Sequence, residues 1–327
     1  MKICFYALRE YDELQFCEQF SKEMGIDFVW TADYPTFENV GLADGCDAAS
    51  MPPCYMAADM IEAFHKVGVK YIACRSIGYD HVDIAKAHEL GMRVSNVCYP
   101  PDGVANYAIM LMMMCARKIS HIMKRSEVQD YSLKGKIGLD LSTCTVGVLG
   151  TGQIGTTVLR NLSMFGCRLL AYDPYQNEKA ASYATYTDPD TLFAESDIIT
   201  LHMNATEENY HMICRESLAK MKDGVIIVNT ARGKLIDSEA LIEALESGKV
   251  GGAGLDVLEN ENGLYYYNRM GEDLPIHDMA ILRSFPNVIL SPHTAFYTLT
   301  NVSHMVQGVF ESVRAFAQGE ETFHEVK

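Results

Sequence analysis

Apolar residues recur along this chain in short runs, separated by amphipathic stretches of helical period, almost from end to end. That alternation predicts βα units with parallel strands. In the first third, the runs at 3–8, 47–51, 71–75 and 93–97 are strand candidates. Helical patterns at 59–67 and 80–90 lie between them, each closed by a glycine, Gly68 and Gly91. Pro100 and Pro101 interrupt the series, and one long apolar helix is expected from Asp102 to about Glu127.

A second series begins at Thr145, with strand candidates at 145–149, 168–172, 198–202, 225–230, 252–257 and 288–293. The chain closes on a helical pattern over 301–318. No short-period repeat or low-complexity segment intervenes. The expected class is α/β, with two doubly wound parallel-sheet domains. The first is discontinuous, built from 1–98 and 298–327 around a second domain at 99–297.

Composition narrows the partners. The 327 residues suffice for two domains, and 27 basic against 43 acidic residues leave a formal net charge of −16. That balance argues against a nucleic-acid or anionic-membrane partner, so an anionic substrate needs specific donors. The N-terminal MKICFYALREYDELQF turns charged too early for a secretory signal, and the apolar stretch 104–116 is too short to span a bilayer. A cytoplasmic protein is expected. Ten cysteines include no CxxC pair, which favours reduced, buried thiols over a disulfide framework or a metal site.

The segment Gly150-Thr151-Gly152-Gln153-Ile154-Gly155 fits GxGxxG. Alone it is a weak signal, but the strand 145–149 precedes it and a helical stretch, 153–165, follows. A second strand then ends on Asp173. In a Rossmann unit each part has a task. Gly150 permits the tight turn, Gly152 lets the pyrophosphate approach, and Gly155 lets helix and strand pack. The helix N-terminus faces the phosphate charge. Asp173 would accept hydrogen bonds from the ribose hydroxyls and repel a 2′-phosphate, favouring NAD over NADP.

Three later strands end on polar segments: Asn229-Thr230-Ala231-Arg232-Gly233, Leu255-Asp256-Val257-Leu258-Glu259-Asn260-Glu261, and Ser291-Pro292-His293-Thr294-Ala295. Strand carboxyl ends converge on the ligand crevice of a parallel sheet. Each residue alone reads as an ordinary surface group, as do the other nine histidines, His202 and His211 among them. As a set, Arg232, one or two carboxylates and His293 read as a catalytic site.

The order GTGQIG…YDP…NTARG…LDVLENE…SPHTAFYT resembles the D-isomer-specific 2-hydroxyacid dehydrogenase family through nearly the whole chain. RSIGYDHVD (75–83), YPPDGVANYAIMLMMMCAR (99–117) and TVGVLGTGQIG (145–155) are most similar to its D-lactate dehydrogenase branch, vancomycin-resistance enzymes included. The resemblance implies a Rossmann NAD-binding domain inserted in a flavodoxin-like substrate domain, and a homodimer joined through the NAD-binding domains. It makes Arg232 the substrate-binding arginine, Glu261 the acidic partner and His293 the acid/base. Around NAD it implicates Gln153, Ile154, Asp173, Met203, Asn204, Asn209, Thr230, Ala231, Arg232 and Asp256. Amides near Ile77 and Gly78 would hold the substrate carboxylate, with Tyr99 beside them. Asn106 stands where relatives commonly carry an acidic residue, and Met203-Asn204 replaces their usual Val-Pro. Neither departure touches the catalytic positions.

The chemistry follows from these side chains. Arg232 offers a planar charged fork that holds a carboxylate and polarises the adjacent keto oxygen. His293 as imidazolium protonates that oxygen as hydride is delivered, and Glu261 favours the charged ring and orients it. No metal is needed. Met51, Pro52, Tyr99, Phe296 and Tyr297 are expected to line an apolar pocket. Pyruvate, 2-ketoisocaproate and phenylpyruvate therefore stay open, the last two corresponding to D-2-hydroxyisocaproate and D-phenyllactate dehydrogenases. A reading of another class is a non-enzymatic, NAD-sensing protein like the family's corepressors. A dehydrogenase of the L-lactate/malate class would carry its glycine motif near the N-terminus.

Overall fold

A computed structural model describes residues 1–261, 263–274, 276–322 and 324–327. The chain divides into two compact units, Met1–Pro100 with Tyr297–Lys327, and Pro101–Phe296. Tyr99 thus falls in the first unit.

The first unit begins β1 (Lys2–Phe5), α1 (Leu14–Met24), β2 (Asp27–Trp30), β3 (Ala48–Met51), α2 (Ala58–Lys66), β4 (Tyr71–Cys74), α3 (Ile84–Glu89) and β5 (Arg93–Ser95). β3 and β4 are buried at every position, which is why they read as unbroken apolar runs rather than alternating ones. Asp83 starts α3 by accepting from the Lys86 amide at 2.9 Å.

The second unit carries α4 (Asp102–Ala116), α5 (Ile119–Glu127), β6 (Thr145–Leu149), α6 (Gln153–Leu162), β7 (Arg168–Tyr172), α7 (Glu178–Ala181) and β8 (Thr185–Tyr186). It continues through α8 (Pro189–Glu195), β9 (Ile198–Leu201), α9 (Arg215–Lys220), β10 (Val225–Asn229), α10 (Ser238–Glu246), β11 (Val250–Leu255), α11 (His277–Ser284) and β12 (Val288–Leu290). The single helix expected over 102–127 is two. Lys118 adopts a left-handed φ of 52°, which breaks the run without a glycine or proline to announce it.

The chain then returns to the first unit with α12 (Leu299–Gln318) and β13 (Glu325–Val326). α12 packs on α1 and β4, and its Phe310 meets Phe5 of β1 with ring centroids 5.6 Å apart.

The first sheet runs β13-β5-β4-β3-β1-β2, parallel except for β13. Its five parallel strands have the flavodoxin-like order. The second sheet runs β12-β11-β10-β9-β6-β7-β8, all parallel, with the order reversing between β6 and β9. That doubly wound Rossmann arrangement opens a crevice at the carboxyl ends of β6 and β9. Each sheet is covered by buried aliphatic and aromatic side chains. Met51 and Pro52, expected in a pocket, are buried instead. Met51 is the last residue of β3 and points into the core with Tyr6, Met56 and Met60.

Candidate active site

The glycine loop joins β6 to α6. Gly150 has φ 93°, and a Cβ there would lie 2.6 Å from the His202 carbonyl carbon. A Cβ on Gly155 would lie 1.9 Å from the Gly150 oxygen, so both positions are closed to larger residues. Around Gly152 there is nothing within 4 Å. Gly152 caps α6 without a side chain, leaving its first-turn amides to an anion, beside Gln153 and part-buried Ile154.

Asp173 follows β7. Its Oδ2 accepts from the Thr151 amide at 2.6 Å and its Oδ1 from the Tyr175 amide at 2.9 Å. Those bonds fix the carboxylate at the loop, and each oxygen retains a lone pair for a ribose hydroxyl. At the end of β10 the Thr230 Oγ1 is buried and lacks a partner among the described residues. An open glycine at an uncapped helix, a fixed carboxylate and a stranded hydroxyl fit a dinucleotide.

These glycines give a clean contrast. Gly152→Ala is expected to keep the parent melting temperature but to weaken NADH binding about tenfold or more, because its methyl group projects where phosphate must approach. Gly155→Ala is expected to lower the melting temperature by several degrees, because its methyl group meets backbone. Thermal melts and NADH titrations of both proteins test this. Equal effects on stability would refute it.

His202 lies beneath the loop, with Nε2 2.9 Å from Thr200 Oγ1. Its Nδ1 is shielded and unpaired among the described residues, and burial pushes the imidazole down to about 3. The folded value lies below the ordinary 6.5, so its stabilising contribution is full above 6.5 and is lost as pH falls towards 3. At pH 5 the loss is about 2 kcal/mol. His202→Gln is expected to flatten the decline of melting temperature between pH 7 and pH 5. An unchanged slope would count against a buried neutral ring.

The remaining NAD assignments differ in surroundings. Asn209 closes the 204–209 loop, donating to the Asn204 carbonyl and accepting from the Thr206 amide, both at 2.7 Å. Met203 packs against the core. Asn229, fully buried, shapes the next loop by accepting from the Ala231 amide at 2.9 Å and donating to the Arg232 carbonyl at 2.8 Å. Asp256 has no exposed surface. It accepts from Ser291 Oγ at 2.6 Å and from the amides of Thr294 and Ala295 at 2.9 and 2.8 Å. Its visible work is to brace the loop that carries His293.

On that loop His293 Nδ1 lies 2.6 Å from Glu261 Oε1. An ionised carboxylate only accepts, so Nδ1 donates and the lone pair of the neutral ring falls on Nε2. Glu261 is itself held, its Oε2 accepting from the Leu258 amide at 2.7 Å. His293 adopts φ 52°, unusual for a side chain of this size. Its amide donates to the Asp256 and Ser291 carbonyls, and its own carbonyl accepts from the Tyr266 hydroxyl at 3.1 Å. The rings of Tyr266 and Phe296 lie 5.9 and 6.4 Å from the imidazole.

Arg232 is part-buried, and its Nη1 donates to the Ala231 carbonyl at 2.9 Å. The next residue locks the arginine loop to the Glu261 loop. A Cβ on Gly233 would lie 2.0 Å from the Leu258 carbonyl carbon and 2.4 Å from the Glu259 nitrogen. Three loops from three strand ends are thus braced together.

Sequence reasoning did not foresee several partners and roles around the site. Glu259 pairs not with His293 but with His211, whose Nε2 lies 3.0 Å from its Oε1, and it also accepts from the Tyr210 hydroxyl at 3.0 Å. Tyr266 and the bracing roles of Asn229 and Gly233 were equally unannounced. Only Gly233 had a local signal, a glycine directly after the arginine. Ile77, Gly78 and Tyr99 belong to the first unit.

Residues 109–295 match the family model of the D-isomer specific 2-hydroxyacid dehydrogenase NAD binding domain. The chain is 42% identical over 323 residues to an aromatic 2-oxoacid reductase of Clostridium sporogenes, covering 97% of this chain and 96% of that one. It is 37% identical over 327 residues to the D-lactate dehydrogenase of Escherichia coli K12, covering 98% of both. An NAD-complexed D-isomer specific 2-hydroxyacid dehydrogenase from Lactobacillus delbrueckii ssp. bulgaricus superposes with a TM-score of 0.87 at 30% identity, covering 100% of both chains. The chain therefore belongs to the D-isomer specific 2-hydroxyacid dehydrogenases and is an NAD-dependent oxidoreductase.

Proposed function

We propose that this protein reduces a small apolar 2-keto acid, pyruvate or a somewhat larger one, to the D-2-hydroxy acid. The observation that carries the proposal is the 2.6 Å Glu261–His293 pair on a loop braced to the strand ends. Bound NADH supplies the hydride. Arg232 holds the carboxylate and polarises the keto carbonyl, His293 Nε2 protonates the oxygen, and Glu261 keeps the ring in the productive tautomer. In the reverse direction neutral His293 removes the hydroxyl proton.

Within that class an aromatic keto acid has support of its own. Tyr266 and Phe296 place two rings within 6.4 Å of the His293 imidazole, an apolar environment suited to a phenylpyruvate side chain. The Clostridium sporogenes relative is named for aromatic 2-oxoacids.

The test is a panel of pyruvate, 2-ketoisocaproate and phenylpyruvate with NADH and NADPH, with chiral analysis of the products. The expected outcome is a D product and roughly a hundredfold preference for NADH, from loss of the Asp173 hydrogen bonds and its repulsion of a 2′-phosphate. An L product would overturn the stereochemical reading. Absence of turnover would favour the NAD-sensing alternative.

A homodimer through the nucleotide unit is part of the same proposal. Met110, Met113, Met123 and Phe165 are between 38% and 59% exposed, and the first two line an apolar groove with Ile109 and Met114. Such a face favours cover by another protein surface. Ten free thiols fit a reducing compartment such as the cytoplasm.

A further inference from the structure

The segment 76–78 follows β4 in the first unit, and its carbonyl groups are all engaged. The Ser76 carbonyl accepts from the Val97 amide at 3.2 Å. The Ile77 carbonyl accepts from Asn96 Nδ2 at 2.7 Å. The Gly78 carbonyl accepts from Ser76 Oγ at 2.6 Å. Among the described residues no peptide bond is cis. In a trans peptide the N–H points opposite to the C=O of its own plane. Binding the carbonyls of 76 and 77 to the 96–97 segment therefore turns the amides of Ile77 and Gly78 away from it. Successive outward amides make an anion-binding concavity.

The base of this turn is rigid. Arg75 is buried, with Nε 3.1 Å from Glu13 Oε1, itself unexposed. Its other donors reach the carbonyls of Ser50, Tyr6 and Ala7 and the Ser50 hydroxyl, at 2.8 to 3.3 Å. One guanidinium thus ties the carboxyl ends of β1, β3 and β4, and its charge is balanced by Glu13. The ordering cost of the turn is met before any ligand arrives.

We propose that Asn96 and Ser76 are positioning residues that aim the Ile77 and Gly78 amides at the substrate carboxylate, on the base fixed by Arg75 and Glu13. The inference rests on the 2-keto-acid reading above. It goes further by assigning carboxylate affinity to two side chains that need not touch the substrate. They act on binding rather than on the proton or hydride step, so removing them separates KM from kcat.

The experiment measures KM and kcat for the best keto acid of the panel, the inhibition constant of oxamate as a carboxylate probe, and the NADH dissociation constant. Asn96→Ala is expected to raise KM and the oxamate constant together by about tenfold, equivalent to about 1.4 kcal/mol. Saturating kcat should stay within about threefold of the parent, and NADH binding should not change. Ser76→Ala should behave alike, and Ser76→Thr, which keeps the hydroxyl, should recover the parent KM. If Asn96→Ala does not fold, the Ser76 pair decides. Variants that keep the parent KM and oxamate constant, or lose kcat alone, overturn the inference. A parent that neither reduces a 2-keto acid nor binds oxamate overturns the functional reading instead.

Discussion

Replacing His293 by glutamine is expected to lower kcat by about 10³-fold or more in both directions while leaving NADH affinity within about threefold of the parent. Glutamine fills a similar volume and can still bond Glu261, but it has no nitrogen that takes up and gives back a proton near neutral pH. On the proposed mechanism reduction needs the protonated ring and oxidation the neutral one, so both directions should fail together. Glu261→Gln should cost less, about 10- to 100-fold. Its amide oxygen can still accept from Nδ1 at the place where the carboxylate now sits, 2.6 Å away, but the negative charge facing the imidazolium is gone. Stopped-flow single turnovers with NADH check both variants without interference from product release. A His293→Gln protein retaining a tenth of parent activity would show that another group carries the proton.

The second large effect concerns Arg232. Arg232→Gln is expected to reduce kcat/KM for the keto acid by about 10³-fold, or about 4 kcal/mol, since two charge-assisted hydrogen bonds and the polarisation of the carbonyl are lost at once. Arg232→Lys restores the charge without the planar fork, so it should recover only part of that loss, seen mainly in kcat rather than KM. The loop should survive either change. Its shape is held through main-chain atoms by Asn229 and by the close contact of Gly233 with Leu258. Equal kcat/KM in the arginine and lysine proteins would mean that a point charge suffices and that the bidentate geometry is mistaken.

Much of this arrangement was legible because its signals are local. The glycine loop, the strand before it and the acid after the next strand follow one another in the chain, and each answers a steric or electrostatic demand within a few residues. The buried parallel strands announced themselves as apolar runs. The short edge strands β2, β8 and β13 did not. β2 and β13 are short and part-exposed, so neither needed an apolar run. The break between α4 and α5 rests on the left-handed backbone of Lys118, a conformation that the residue type does not advertise. Met51 looked like a pocket residue by its place at the end of a strand, but β3 is buried at every position and Met51 packs in the core with Met56 and Met60.

By itself the sequence determined the order of βα units, the position of the nucleotide loop and the three strand ends that bear arginine, carboxylates and histidine. Those properties depend on hydrophobic period and backbone sterics, which act over neighbouring residues. Only the tertiary structure decided which partner each group takes. Glu259 and Glu261 are two residues apart, yet one meets His211 and the other His293. Between them Asn260 turns the chain at φ 62°, which sends the two side chains different ways. The histidines lie 48 residues before the first carboxylate and 32 after the second. The same holds for Asn96 and the Ile77 carbonyl, 19 residues apart and joined through adjacent parallel strands. Pairings of this kind are set by strand order and register, and no local rule contains them.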